Sequence, residues 1–273
     1  METRPQLLAL DLDGTLMGED RVIPERTRRA VRRAMEQGCV VTIATGRGYT
    51  AAARFAQDLG VGGPLICYQG ALVKDCRDET IIYSATLPLD VARDVMAFCR
   101  GRNLNVQVYL EDERAYASQD DPLLGRIADV SGMPVTGVPD LAGWLSRPPL
   151  KFLFVEREEA VVELVRDLKA QFDGRMQVVR SWNHLIEATG PNASKGEALA
   201  RLAAHLGVPQ AATMAIGDQD NDVSMIAWAG LGVAMGDASP AAKAVADVIA
   251  PPLAAEGAAW AIERFVLQER VDG

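Results

Sequence analysis

Leu7-Leu8-Ala9-Leu10-Asp11-Leu12-Asp13-Gly14-Thr15-Leu16 is the stretch on which the fold turns. A short apolar run cut off by a Gly turn reads as a buried strand. That strand ends by presenting two carboxylates, two residues apart, at its carboxyl edge, where open α/β sheets bind ligands. Carboxylates crowded together repel unless a cation or a shared proton relieves them. The pair therefore points to a hard metal ion, a carboxylate nucleophile, or both. Asp-Gly is also a common turn dipeptide, so the companions of this pair decide its meaning.

Working outward, strands and helices alternate. The pattern predicts a helix over Pro24–Gln37, opened by Pro24 and closed by Gly38, a buried strand over Cys39–Thr45, a helix over Tyr49–Leu59 and a third strand over Leu65–Tyr68. Such alternation implies βαβ units and a parallel sheet. After about Tyr83 the character changes to polar-alternating strands, two helices and Pro-rich punctuation, which reads as an α+β unit with a largely antiparallel sheet. Buried-strand alternation returns after Lys195, with an apolar strand over Ala212–Gly217. The expected class is α/β: a Rossmann-like three-layer core with a parallel sheet, over residues 1–84 and 187–273, interrupted by an inserted α+β cap over 85–186.

A chain of 273 residues with 49% hydrophobic and 24% charged residues has the composition of a soluble globular protein. The net charge of −9 argues against a nucleic-acid partner, which would need a basic footprint. Anionic substrates stay open, because a bound cation reverses the local sign. The cysteines (Cys39, Cys67, Cys76, Cys99) form no CxxC pair, and with only His184 and His205 beside them a zinc site is disfavoured. No apolar run approaches a membrane span, and the first residues lack a signal-peptide core. A cytoplasmic protein without a membrane or nucleic-acid partner is expected, as a monomer or weak homodimer.

Three further motifs accompany the aspartate pair. Thr45-Gly46-Arg47 follows the second strand, where a hydroxyl and backbone N–H groups can meet a phosphate at a helix start. The stretch also fits a loose dinucleotide pattern, but the next strand ends at Tyr68-Gln69-Gly70 without the acid that would hold a ribose. Ser194-Lys195-Gly196 opens a helix. A lysine opposes the macrodipole there, so its place suggests a task such as holding an anion. Gly217-Asp218-Gln219-Asp220-Asn221-Asp222 follows an apolar strand, and its oxygen ligands suit Mg²⁺. Helix capping is the plainer reading for Thr45 and Asp222, yet each strand end contributes one part to one edge of one sheet.

These motifs, in this order over residues 7 to about 267, resemble the haloacid dehalogenase superfamily of phosphohydrolases, Cof-type branch. The resemblance implies that Asp11 is the nucleophile and that Asp13 is general acid, then general base. Thr45 and Lys195, with Gly46 and Arg47, hold the transferring phosphate. Mg²⁺ is bound by Asp11, the Asp13 backbone carbonyl and Asp218, while Asp222 and Asn221 give support, Asn221 toward the substrate. Gln69 stands where the family usually has Asn, and so does Asp237. An Mg²⁺-dependent phosphomonoesterase acting on a small phosphorylated metabolite, a sugar phosphate for preference, is expected. A phosphomutase or other phosphotransferase is the alternative; a non-catalytic phosphate sensor fits less well, since no catalytic residue is missing. Substrate choice is expected in the cap, with Trp182, Asn183 and His184 as candidates.

Overall fold

The computed structural model describes residues 4–119, 134–182 and 184–269. Contacts divide the chain into two compact units. The first comprises the chain up to Thr45, Ala52–Tyr83 and Ser194 onward; the second comprises Gly46–Ala51 and Ser84–Ala193. Leu185–Thr189 is held on both sides by strands of the second unit.

The first unit is built on strands β1 (Leu7–Leu10), β2 (Val40–Ile43), β12 (Thr213–Gly217), β13 (Leu231–Ala234) and β14 (Val248–Ile249). Their order is β14-β13-β12-β1-β2 and every pairing is parallel. All four residues of β1 are fully buried, as a parallel strand covered on both faces must be. β1 aligns Leu7 with both Thr213 and Val40, so the carboxyl ends of β1, β2 and β12 finish level. The chain runs from β1 to β2 on one side and returns to β12 on the other. β1 therefore marks the switch point where such sheets bind ligands.

The third strand departs from expectation. β3 (Pro64–Cys67) meets β2 through a single parallel bridge, Ala44 with Ile66, and pairs antiparallel with β4 (Leu72–Asp75), which continues to β5 (Ile81–Ser84). The apolar run of β3 is that of a buried strand in either arrangement, and the tight Tyr68–Gly70 turn reverses the chain instead of leading it to a crossover. The last helix is mixed: Gly257–Ala261 is α-helical, and Ile262–Val266 is wound as a π-helix.

The second unit carries a six-stranded sheet ordered β10-β11-β9-β6-β7-β8, from β6 (Val106–Tyr109), β7 (Ala115–Ser118), β8 (Val135–Val138), β9 (Lys151–Val155), β10 (Gln177–Trp182) and β11 (Leu185–Thr189). It is antiparallel except for β7 with β8. Alternate residues Val106, Val108, Phe152, Phe154 and Ile186 pack into one core with the helices Leu89–Arg102 and Glu158–Gln171. Phe98 and Phe172 meet edge to face there, 5.8 Å between centroids. Among the described residues no helix is long and apolar enough to cross a membrane.

Candidate active site

Asp11 leaves β1 with its N–H donated to Ile216 of β12, which fixes its carboxylate at the sheet edge. Gly14 then turns the chain at φ +92°, and a Cβ there would fall within 2.7 Å of the Asp218 carboxylate carbon. Only Gly allows the two acidic loops to approach this closely. Asp13 is half-buried beyond Asp11.

Lys195 is the first residue of the helix Lys195–Leu206 and is fully buried. Ser194 caps that helix by accepting the Glu197 N–H at 3.1 Å. The Lys195 Nζ donates to Asp11 Oδ1 and to Asp222 Oδ1, each at 2.6 Å. Two carboxylates thus offset the unfavourable place of a cation at a helix start. Asp222 is committed on its other oxygen, Oδ2, which accepts the N–H groups of Asp218 and Gln219, both at 2.9 Å. Its role is therefore to lock the loop and fix the lysine. The helix-cap expectation holds for the short turn Asp220–Asp222, where the Asp222 and Gln219 side chains each accept the other's backbone N–H, while the next helix, Val223–Trp228, receives no side-chain cap bond.

Asp218, at the end of β12, accepts the Thr15 hydroxyl on Oδ1 at 2.9 Å and the Gln219 amide on Oδ2 at 2.7 Å. The carboxylates of Asp11, Asp218 and Asp222 lie with one oxygen of each within 4.8 Å of the others, all buried. The ammonium meets two of these three buried carboxylates, Asp11 and Asp222, and the cluster offers hard oxygen donors. Such a donor set fits Mg²⁺. Burial, followed by the Asp222 and Asp218 charges, holds Asp11 well above the usual carboxylate range against the pull of Lys195. Burial and then Asp222 raise Asp218 likewise. Burial alone would lower Lys195; Asp11 and Asp222 outweigh it, and the lysine stays charged.

Thr45 is buried at the end of β2, its N–H donated to Ile66 and its carbonyl accepting the Gln69 N–H. Asn221 donates its amide to Gln69 Oε1 at 2.9 Å. Asp11, Thr45, Lys195, Asp218, Asn221 and Asp222 all belong to the first unit. Gly46 and Arg47 follow Thr45 in the chain but group with the second unit. His184 is exposed in the turn between β10 and β11, Trp182 ends β10, and Asn183 lies outside the described residues. Asp237 accepts the Leu253 N–H at 3.2 Å, which ties two loops together.

Sequence reasoning passed over Thr15 and Gln219, the two side chains that orient Asp218. It also passed over Ser239, whose N–H donates to the Asp218 carbonyl and whose hydroxyl donates to Asp220, both at 2.7 Å. The partners of Thr15 and Ser239 are distant in the chain, and nothing local sets these side chains apart from ordinary turn residues.

The model of the haloacid dehalogenase-like hydrolases matches residues 8–262. The chain belongs to that family. This haloacid dehalogenase-like hydrolase is 32% identical to a 5-amino-6-(5-phospho-D-ribitylamino)uracil phosphatase of Bacillus subtilis, over 90% of this chain and 92% of that one. It is 31% identical to an HMP-PP phosphatase of Serratia proteamaculans, over 88% and 87%. Among solved structures, a haloacid dehalogenase-like hydrolase from Bacteroides thetaiotaomicron superposes with a TM-score of 0.84 at 29% identity, covering 96% of this chain and 99% of that one. The resemblance carried by the four motifs agrees with the family so found, and the α/β core with a separate, largely antiparallel sheet agrees with the structure.

Proposed function

We propose that this phosphatase is an Mg²⁺-dependent phosphomonoesterase of small phosphorylated metabolites, sugar phosphates for preference, working through an aspartyl-phosphate on Asp11. The observation that carries the reading is the Lys195 ammonium buried between Asp11 and Asp222 with Asp218 beside them. An anion can be attacked by a carboxylate only where positive charge offsets the repulsion, and Lys195 supplies one such charge. The Asp11 and Asp218 carboxylates, with the Asp13 backbone carbonyl, would hold the metal. When bound, the cation would neutralise charge on the phosphate and lower the raised pKa values of its ligands.

In the first step an Asp11 carboxylate oxygen bonds to phosphorus, and the ester oxygen leaves with a proton from Asp13. In the second, water attacks phosphorus, Asp13 takes back a proton, and the bond to Asp11 breaks to release inorganic phosphate. Thr45 and Lys195 hold the equatorial oxygens, joined by Gly46 and Arg47. The similarity to phosphatases of a phosphoribityl compound and of HMP-PP supports a small phosphorylated metabolite. The second unit, including His184, is the proposed source of selectivity.

The test is phosphate release from a panel of sugar, nucleoside and cofactor phosphates with Mg²⁺, using Asp11→Asn as blank. Release that vanishes in the variant is expected. Release that persists in the variant, or that needs no metal, overturns the mechanism. Transfer of the phosphoryl group to a second sugar in place of water would select the phosphotransferase alternative.

A further inference from the structure

Tyr68, Gln69 and Gly70 stand in the left-handed region at φ 51°, 59° and 93°. Non-Gly residues are uncommon there, and Asn or Asp occupies the region more readily than Gln. A Gln at this place carries a backbone cost that a shorter amide would lessen. What the extra methylene supplies is reach: Gln69 Oε1 comes to 2.9 Å from Asn221 Nδ2.

The same turn touches two other parts of the site. The Gln69 N–H donates to the Thr45 carbonyl at 3.1 Å. Gly70 lies against the Ser194–Lys195 backbone, and a Cβ on it would come within 2.8 Å of the Lys195 backbone nitrogen. Asn221 sits in the loop between Asp218 and Asp222. Its Oδ1 is buried and, among the described residues, has no hydrogen-bond partner. A buried orphan acceptor is unfavourable unless a donor arrives, and strained backbone with unsatisfied polar atoms clusters where function demands it.

We infer that Gln69 is a positioning residue that clamps the Asn221 amide, and with it the acidic loop, in the geometry required for turnover. The inference rests on the phosphatase reading. Gln69 acts through Asn221, so its effect disappears once Asn221 loses its amide.

Gln69→Asn and Gln69→Met are compared with the parent, each also in an Asn221→Ala background. Hydrolysis of p-nitrophenyl phosphate and the thermal midpoint are both measured. Gln69→Asn suits the left-handed backbone but falls short of Asn221; Gln69→Met keeps the length without the acceptor. Both variants are expected to lose about tenfold in kcat with KM within about twofold, the size of one lost hydrogen bond. Gln69→Asn keeps or raises the midpoint. In the Asn221→Ala background neither substitution lowers kcat further. A purely structural turn would give the opposite pattern, with Gln69→Asn at parental kcat. That result, or full additivity with Asn221→Ala, overturns the inference. A parent that hydrolyses no phosphate ester overturns the phosphatase reading and this inference with it.

Discussion

Lys195→Met removes one charge and little volume, which isolates the electrostatics of the site. Lys195 is fully buried and bonded at 2.6 Å to two carboxylates. Deleting one partner of a buried ion pair costs about 3–5 kcal/mol, because a charge is left without compensation. Asp222 keeps two backbone N–H donors on Oδ2, and Asp11 can take up a proton since its pKa is already raised. The loss at pH 7.5 is therefore placed near the lower end, about 3 kcal/mol. Without the lysine the Asp11 pKa rises further, so protonation at pH 5 relieves part of the penalty and the difference from the parent shrinks. The exposed pair Arg201–Glu197 at 2.8 Å is the control, and Arg201→Met should cost at most about 0.5 kcal/mol. The assay is urea unfolding in EDTA at both pH values, with turnover measured in Mg²⁺, where a loss of at least about a hundredfold is expected. A Lys195→Met loss no larger than that of Arg201→Met, or one that grows on acidification, would refute the reasoning.

Three more outcomes follow from the same geometry. Asp11→Asn should abolish turnover while the thermal midpoint stays within about 5 °C of the parent, since the change is nearly isosteric and Lys195 keeps Asp222 as its charged partner; retained turnover would contradict covalent catalysis. Gly14→Ala puts a Cβ against Asp218 at φ +92°, so it should cost about 1–3 kcal/mol and weaken Mg²⁺ binding measured by calorimetry; unchanged affinity would show that Gly14 is not needed for the approach of the two loops. Asp11 and Asp218 have raised folded-state pKa values, so their contribution to metal-free stability is present below the usual carboxylate range and is lost as pH rises through the raised values. The gain in thermal midpoint on adding Mg²⁺ should therefore increase from pH 5.5 to pH 8; a gain that falls over that window would show that other groups bind the metal.

Much of the site was legible because its parts are local in the chain. The apolar run before Asp11, the Gly after Asp13, the apolar strand before Asp218 and the buried-helix pattern after Lys195 each state a position at a strand or helix end. The helix bounds Tyr49–Leu59 coincide with those read from the sequence. What escaped depends on partners distant in sequence. β3 reads as a buried strand whichever neighbour it takes, so its antiparallel pairing with β4 was not readable. Thr15 and Asp218 are 203 residues apart, and Gln69 and Asn221 are 152 apart. No local pattern distinguishes such a hydroxyl or amide from an ordinary turn residue.

By itself the sequence determined which residue types stand at the carboxyl ends of β1, β2 and β12, because apolar runs and turn glycines encode strand ends within a few residues. Only the tertiary structure decided how those residues share their charges: that Lys195 bridges Asp11 and Asp222, that Asp222 is consumed by two backbone N–H groups, and that Asp218 is oriented by Thr15 and Gln219. Hydrophobic periodicity records which side of an element faces the core, whereas a hydrogen bond of 2.6 Å is set by the packing of separate elements against one another.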